Sequence, residues 1–84
     1  MDVEIGDRVR FKSKGLPALE YHAPGMAEDE TATWQKHFGG VDGIIDVTDP
    51  VLGMVRVRGR DRNGELYTVW IEPQHLTITE EGIR

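Results

Sequence analysis

Arginine occupies every second position of the stretch "MVRVRGRDRNGELYTVWI": Arg56, Arg58, Arg60 and Arg62. A second basic run, Arg8, Arg10, Lys12 and Lys14, has the same spacing. On an extended chain a period of two places all members of a run on one face. Guanidinium groups in such a row are suited to anions, either the phosphates of a nucleic acid or the carboxylates of an acidic protein. The competing reading is a solvated strand face whose charges pair across strands with Asp46, Asp61, Glu65 and Glu72, each pair worth about 0.2–1 kcal/mol. The net charge of -5 argues against generic nucleic-acid binding, which draws its affinity from neutralising phosphates. Eight of the ten Lys and Arg residues nevertheless fall in the two runs, so a local basic face is expected on an acidic chain.

Other chemistries find less support. His22, His37 and His75 are the only strong nitrogen ligands, and no two lie three to five residues apart as a zinc pair would. There is no cysteine, which removes disulfides, thiolate metal sites and a cysteine nucleophile. Asp42 with Asp46, or Glu28 with Glu30, read as surface acids in the absence of a cleft to raise a pKa. No Ser-His-Asp spacing occurs, and "GGVDG" lacks the basic residue and helix start of a phosphate loop. The expectation is therefore a protein that is not an enzyme, with no catalytic residue, metal or cofactor.

The elements that must position these side chains are mostly strands. The chain has 84 residues, 38% apolar and 30% charged, enough for one small domain over 1–84 with its own core. No apolar run approaches the roughly 18 residues of a membrane span, and no signal peptide opens the chain, so a cytoplasmic protein without membrane attachment is expected. In "IGDRVRFK", residues 5–12, Val9 and Phe11 alternate with Arg8, Arg10 and Lys12, the pattern of a half-buried strand. In "GIIDVT", Ile45 and Val47 share one face opposite Ile44 and Asp46. A turn over 49–53 then leads into the arginine strand.

Register follows from requiring agreement between faces. A three-residue loop of Arg62, Asn63 and Gly64, with Gly64 left-handed, pairs Val57 with Val69 and Val55 with Ile71. Arg56 then faces Trp70, Arg58 faces Thr68 and Arg60 faces Leu66. This makes Arg62 a turn residue. Across the 49–53 turn, pairing Thr48 with Met54 sets Val47 against Val55, Asp46 against Arg56 and Ile45 against Val57. "EPQHL" predicts a turn or a single helical turn, because Pro73 donates no ladder bond. "LTIT" is a short last strand, and the tail 79–84 is expected to fray.

Residues 13–40 form a connection too long to be a simple turn, and such connections are often functional. Within it, "MAEDETATWQKHF" predicts a short helix with Ala27, Thr31, Trp34 and Phe38 on one side and acids in its first turn. His37 fits the end of that helix. Gly39, Gly40 and Gly43 are expected to let the chain bend into the next strand.

Five strands joined by a long loop, two tight turns and a helical turn resemble the small SH3-like barrels. The resemblance is carried by "GDRVRF", "GGVDGIIDV", "MVRVRG" and "LYTVWIEPQHLTI" and covers most of the chain. It implies a mainly β fold, a five-stranded SH3-like barrel with a long, partly helical loop between the first two strands. The pattern is similar to compact bacterial and bacteriophage proteins that dock on larger assemblies, which implies an accessory protein of the cytoplasm or the virion. Because the chain begins at Met1 and holds little beyond the barrel, a complete small gene product is expected. The chain departs from peptide-binding SH3 domains. Of their paired-tyrosine motif and acidic cluster it has only Tyr21, Glu28, Asp29, Glu30 and Trp34. The function expected is protein binding, as an adaptor or assembly module. Its contacts are Arg8, Arg10, Arg56, Arg58, Arg60 and Trp70 on the sheet and Tyr21, Trp34 and Phe38 in the loop. Nucleic-acid binding through the basic face is the alternative.

Overall fold

A computed structural model describes residues 3–14, 18–19, 32–33 and 38–82. Seven strands occur in them: β1 (Arg8–Phe11), β2 (Ala18–Leu19), β3 (Ala32–Thr33), β4 (Asp42–Asp49), β5 (Met54–Arg60), β6 (Leu66–Ile71) and β7 (Leu76–Glu80). A single 3-10 turn, Pro73–His75, joins the last two. Five strands form one antiparallel sheet in the order β6-β5-β4-β1-β7, and β2 pairs with β3 as a separate two-stranded ribbon.

The fold is mainly β, but the sheet is not a closed barrel. Closure requires a ladder between the outermost strands. Here β6 and β7 stand at opposite edges. Glu72 is extended and Pro73 has no N–H to donate, so the chain leaves β6 through the 3-10 turn and pairs with the far side of β1 instead.

The β5–β6 hairpin has the expected register, Val55 with Ile71, Arg56 with Trp70, Val57 with Val69 and Arg60 with Leu66. Its loop is built as the residue types require. Gly64 adopts φ 81°, Asp61 N–H donates to Glu65 C=O at 2.9 Å, and the Asp61 carboxylate accepts the N–H groups of Asn63 and Glu65.

The β4–β5 hairpin departs from expectation by one residue. Asp49 remains in the strand opposite Met54, and its carboxylate caps the N–H groups of Val51 and Leu52, so the turn has four residues, 50–53, rather than five. Thr48 consequently faces Val55 and Val47 faces Arg56. A bulge between Ile45 and Val47 absorbs the slip and restores Ile45 opposite Val57. Val47 therefore leaves the core face, and Asp46 is the extra residue.

The core lies on one face of the sheet: Val9 and Phe11 of β1, Ile45 of β4, Val55 and Val57 of β5, Tyr67, Val69 and Ile71 of β6, and Leu76 of β7. Val3, Phe38 and Val41, outside the strands, complete it. Phe11, Phe38 and Tyr67 form a three-ring cluster with centroids 4.9–6.0 Å apart, tilted or edge-on as ring quadrupoles favour. Tyr67 lies over two residues without side chains. A Cβ at Gly43 would stand 2.3 Å from Tyr67 Oη, and one at Gly59 would stand 3.0 Å from it. Gly43 thus seats an aromatic ring rather than bending the chain.

Asp7 is the one buried charged residue among the described ones, with no exposed surface. Its two oxygens accept backbone N–H groups from Glu4 at 2.9 Å and Gly82 at 2.8 Å. This carboxylate ties the end of the chain to its beginning, so the stretch from 79 continues in β7 to Glu80 and is held as far as Gly82.

Ala32 and Thr33, inside the stretch expected to be helical, are extended and paired with Ala18–Leu19. Apart from these two and Phe38, that stretch lies outside the described residues, as do Tyr21, His22, Trp34 and His37.

Candidate functional site

The face of the sheet opposite the core carries the arginines. Period-two alternation brings Arg8 and Arg10 of β1, Arg56, Arg58 and Arg60 of β5, and Leu66, Thr68 and Trp70 of β6 to this side, together with Asp42 and Ile44 of β4. All five arginines and Trp70 expected from the sequence therefore share one surface. Arg62 lies in the turn, where its guanidinium donates to the Gly39 carbonyl and ties the end of the long connection to the β5–β6 loop. Phe38, grouped with the loop contacts by its place in the sequence, is fully buried between Phe11 and Tyr67 and serves the core.

Much of the arginine charge is answered on the face itself. Arg10 Nε meets Asp42 Oδ1 at 2.7 Å, and Arg56 grips Asp46 with two bonds of 2.9 and 3.0 Å. The bulge explains the second pair. It gives β4 an extra residue there, and the carboxylate of that residue reaches Arg56 although Val47 occupies the register position. Hydrogen bonding from Arg10 and from Arg56 holds the Asp42 and Asp46 carboxyls below their ordinary value of 3.8. Arg8 stands 3.7 Å from Glu80 in an exposed pair, which contributes little.

A depressed folded-state pKa stabilises the native state above the unfolded value and ceases to do so as pH falls through the folded one. Asp46, whose side chain is only 19% exposed, is the better test of the two. Asp46→Asn is expected to lower stability at neutral pH, and the difference from wild type is expected to shrink once the pH drops well below 3.8. Urea unfolding at both pH values checks this; a difference unchanged at low pH would rule out the ion pair as its source.

Arg58 and Arg60 are the least compensated. Arg58 reaches Asp46 only at 3.8 Å, a carboxylate already held by Arg56. Among the described residues Arg60 meets no carboxylate, and its guanidinium donates to the Gly64 carbonyl at 2.8 Å. These two side chains border a groove of about 420 Å³ whose other walls are Ile44, Gly59, Leu66, Tyr67 and Thr68. Ile44 and Arg58 also border a neighbouring hollow of about 240 Å³ reaching Arg8 and Thr79. Leu66 is 57% and Trp70 41% exposed, unusual for side chains so large and apolar.

Tyr67 approaches the groove from the core side. Its hydroxyl donates to the Asp42 carbonyl at 3.0 Å. Burial, and then the negative charges of Asp42 and Asp61, push its phenol well above the ordinary value, so it stays protonated as a donor.

The sequence reading did not single out Ile44, Leu66 or Thr68 as site residues. The signal was present, since Leu66 and Thr68 were placed opposite Arg60 and Arg58, and Ile44 was placed opposite the core face. Among the described residues no group of three or more His, Asp or Glu side chains is placed to hold a metal ion. No described helix is long and apolar enough to cross a membrane. Compared with protein-family models, curated proteins and solved structures, the chain finds no match.

Proposed function

We propose that the chain is a non-enzymatic protein-binding or assembly module. On this reading the outer face of its sheet takes an acidic segment of a partner protein that also carries an apolar side chain. The observation that carries this is the groove in which Arg58 and Arg60, the least compensated cations, flank the exposed Leu66, with Trp70 on the same strand. Arginine and tryptophan are the residues most enriched where binding energy concentrates. An apolar floor with guanidinium borders matches a carboxylate beside an aliphatic or aromatic group.

The order of connections, one long, two tight and one helical turn, supports reading the fold as a relative of the SH3-like barrels opened between β6 and β7. The ion pairs favour protein over nucleic acid, because Asp42 and Asp46 stand where a phosphate backbone would have to approach.

Capture from cells that encode the chain tests the proposal, with wild type compared with an Arg58→Glu, Trp70→Ala double variant. Both positions are exposed, so the variant is expected to keep its fold and to lose the proteins that wild type retains. Capture of the same set by both proteins overturns the proposal. Salt-sensitive retention of the wild type on heparin or DNA, abolished in the double variant, would favour nucleic acid instead.

A further inference from the structure

The two edges of the sheet differ in how they are protected. Natural edge strands are blunted by charges, prolines or bulges that prevent another chain from pairing with them. β7 has such devices: a bulge against β1 between its pairings at Ile78 and Glu80, and the acids Glu80 and Glu81. β6, "LYTVWI", has neither charge nor proline, and among the described residues it pairs with β5 alone.

The hairpin geometry identifies which amides of β6 are available. The Asp61 N–H donates to the Glu65 carbonyl, which sets the phase of the ladder, so bonded and non-bonded pairs alternate from there. Tyr67, Val69 and Ile71 direct their backbone groups at β5, whereas Leu66, Thr68 and Trp70 direct theirs away from the sheet. The same three residues have exposed side chains.

We propose that the β6 edge pairs antiparallel with β6 of a second copy of this chain, about a two-fold axis at Thr68. Three features select this occupant and register. Thr68 meets its own counterpart, and the outward-directed amides and carbonyls of all three residues are satisfied. Leu66 of each copy comes opposite Trp70 of the other, joining the two large exposed apolar side chains of the strand. Glu72, extended beyond the end of β6, comes opposite Gly64 of the second copy, where the Arg60 guanidinium is already held. A carboxylate thus meets one of the least compensated cations of the face, once at each end. A register shifted by two residues, the smallest shift that keeps the faces matched, sets Leu66 against Glu72 and loses these matches. The result is a continuous ten-stranded sheet with the grooves of both copies on one surface.

This inference does not depend on the partner reading above, because it is read from the mass of the pure protein. Sedimentation of the full chain from micromolar to millimolar concentration is expected to show a shift toward twice 9.5 kDa. Thr68→Lys places like charges opposite each other on the axis, and it and Thr68→Asp are each expected to be monomeric. An equimolar mixture of the two is expected to recover the dimer. Amide exchange of wild type is expected to slow at Leu66, Thr68 and Trp70 only where the dimer forms, a readout that needs no variant. A wild type monomeric at millimolar concentration, a Thr68→Lys chain that still dimerises, a mixture that stays monomeric, or exchange at those three amides indifferent to concentration would each overturn the proposal.

Discussion

Phe38→Ala is expected to lower stability by about 3–5 kcal/mol, the usual cost of removing a fully buried phenylalanine. A chain of this size has a total stability of only about 4–13 kcal/mol, so the variant is expected to be partly or wholly unfolded at 37 °C. Phe38 carries this weight because it anchors the end of the long connection in the core and is the centre of the ring cluster, 5.1 Å from Phe11 and 4.9 Å from Tyr67. Its backbone carbonyl also accepts the Val41 N–H at 2.8 Å, fixing the entry into β4. Phe38→Leu keeps most of the volume and is expected to lose less than half as much. Thermal and urea unfolding check both variants. A loss below about 1 kcal/mol for Phe38→Ala would mean that the ring is not part of the core.

Asp7 yields the second large effect. Asp7→Ala leaves the Glu4 and Gly82 N–H groups without their acceptor at a carboxylate that has no exposed surface, and a cost of about 2–5 kcal/mol is expected from two orphaned donors. Asp7→Asn separates the acceptor role from shape. The amide supplies one acceptor oxygen and one donor NH₂, and the NH₂ must face a second N–H, so about half of the loss is expected to remain. Urea unfolding of the three proteins tests this order. An asparagine variant as stable as wild type would show that a single oxygen is sufficient.

These two residues also mark the boundary of what sequence reasoning reached. The β5–β6 hairpin was legible because turn chemistry at Asn63 and Gly64 and the alternation of Val55, Val57, Val69 and Ile71 independently required one register. The same register collected Arg56, Arg58 and Arg60 with Trp70, so much of the candidate face was legible too. The β4–β5 slip was not, since Ile44, Ile45 and Val47 are all aliphatic and either parity looked acceptable. What decides it is the Asp49 carboxylate capping the turn, which shortens the loop and forces the bulge at Asp46.

Asp7 has the same parity as Val9 and Phe11, and that parity alone placed a carboxylate on the core side. Its burial becomes reasonable only when Gly82, 75 residues away, is brought to it. The seat that Gly43 provides for Tyr67 is likewise a contact between distant strands, invisible in local spacing. Closure of the barrel was expected by resemblance and is not found, since β6 and β7 lie at opposite edges of the sheet. Local alternation determines faces; which edges meet is determined by contacts that no short stretch encodes.

The claim that the outer face binds protein is tested most directly by titrating a partner captured by wild type into the isotopically labelled chain and following its amide resonances. The account predicts that the largest shifts fall on Ile44, Arg58, Arg60, Leu66, Thr68 and Trp70, with the buried Val9, Val55 and Val57 little affected. Val51 and Leu52, 93% and 68% exposed at the tip of the β4–β5 turn, provide the contrast. Shifts centred on that tip, with the arginine face unmoved, would contradict the account.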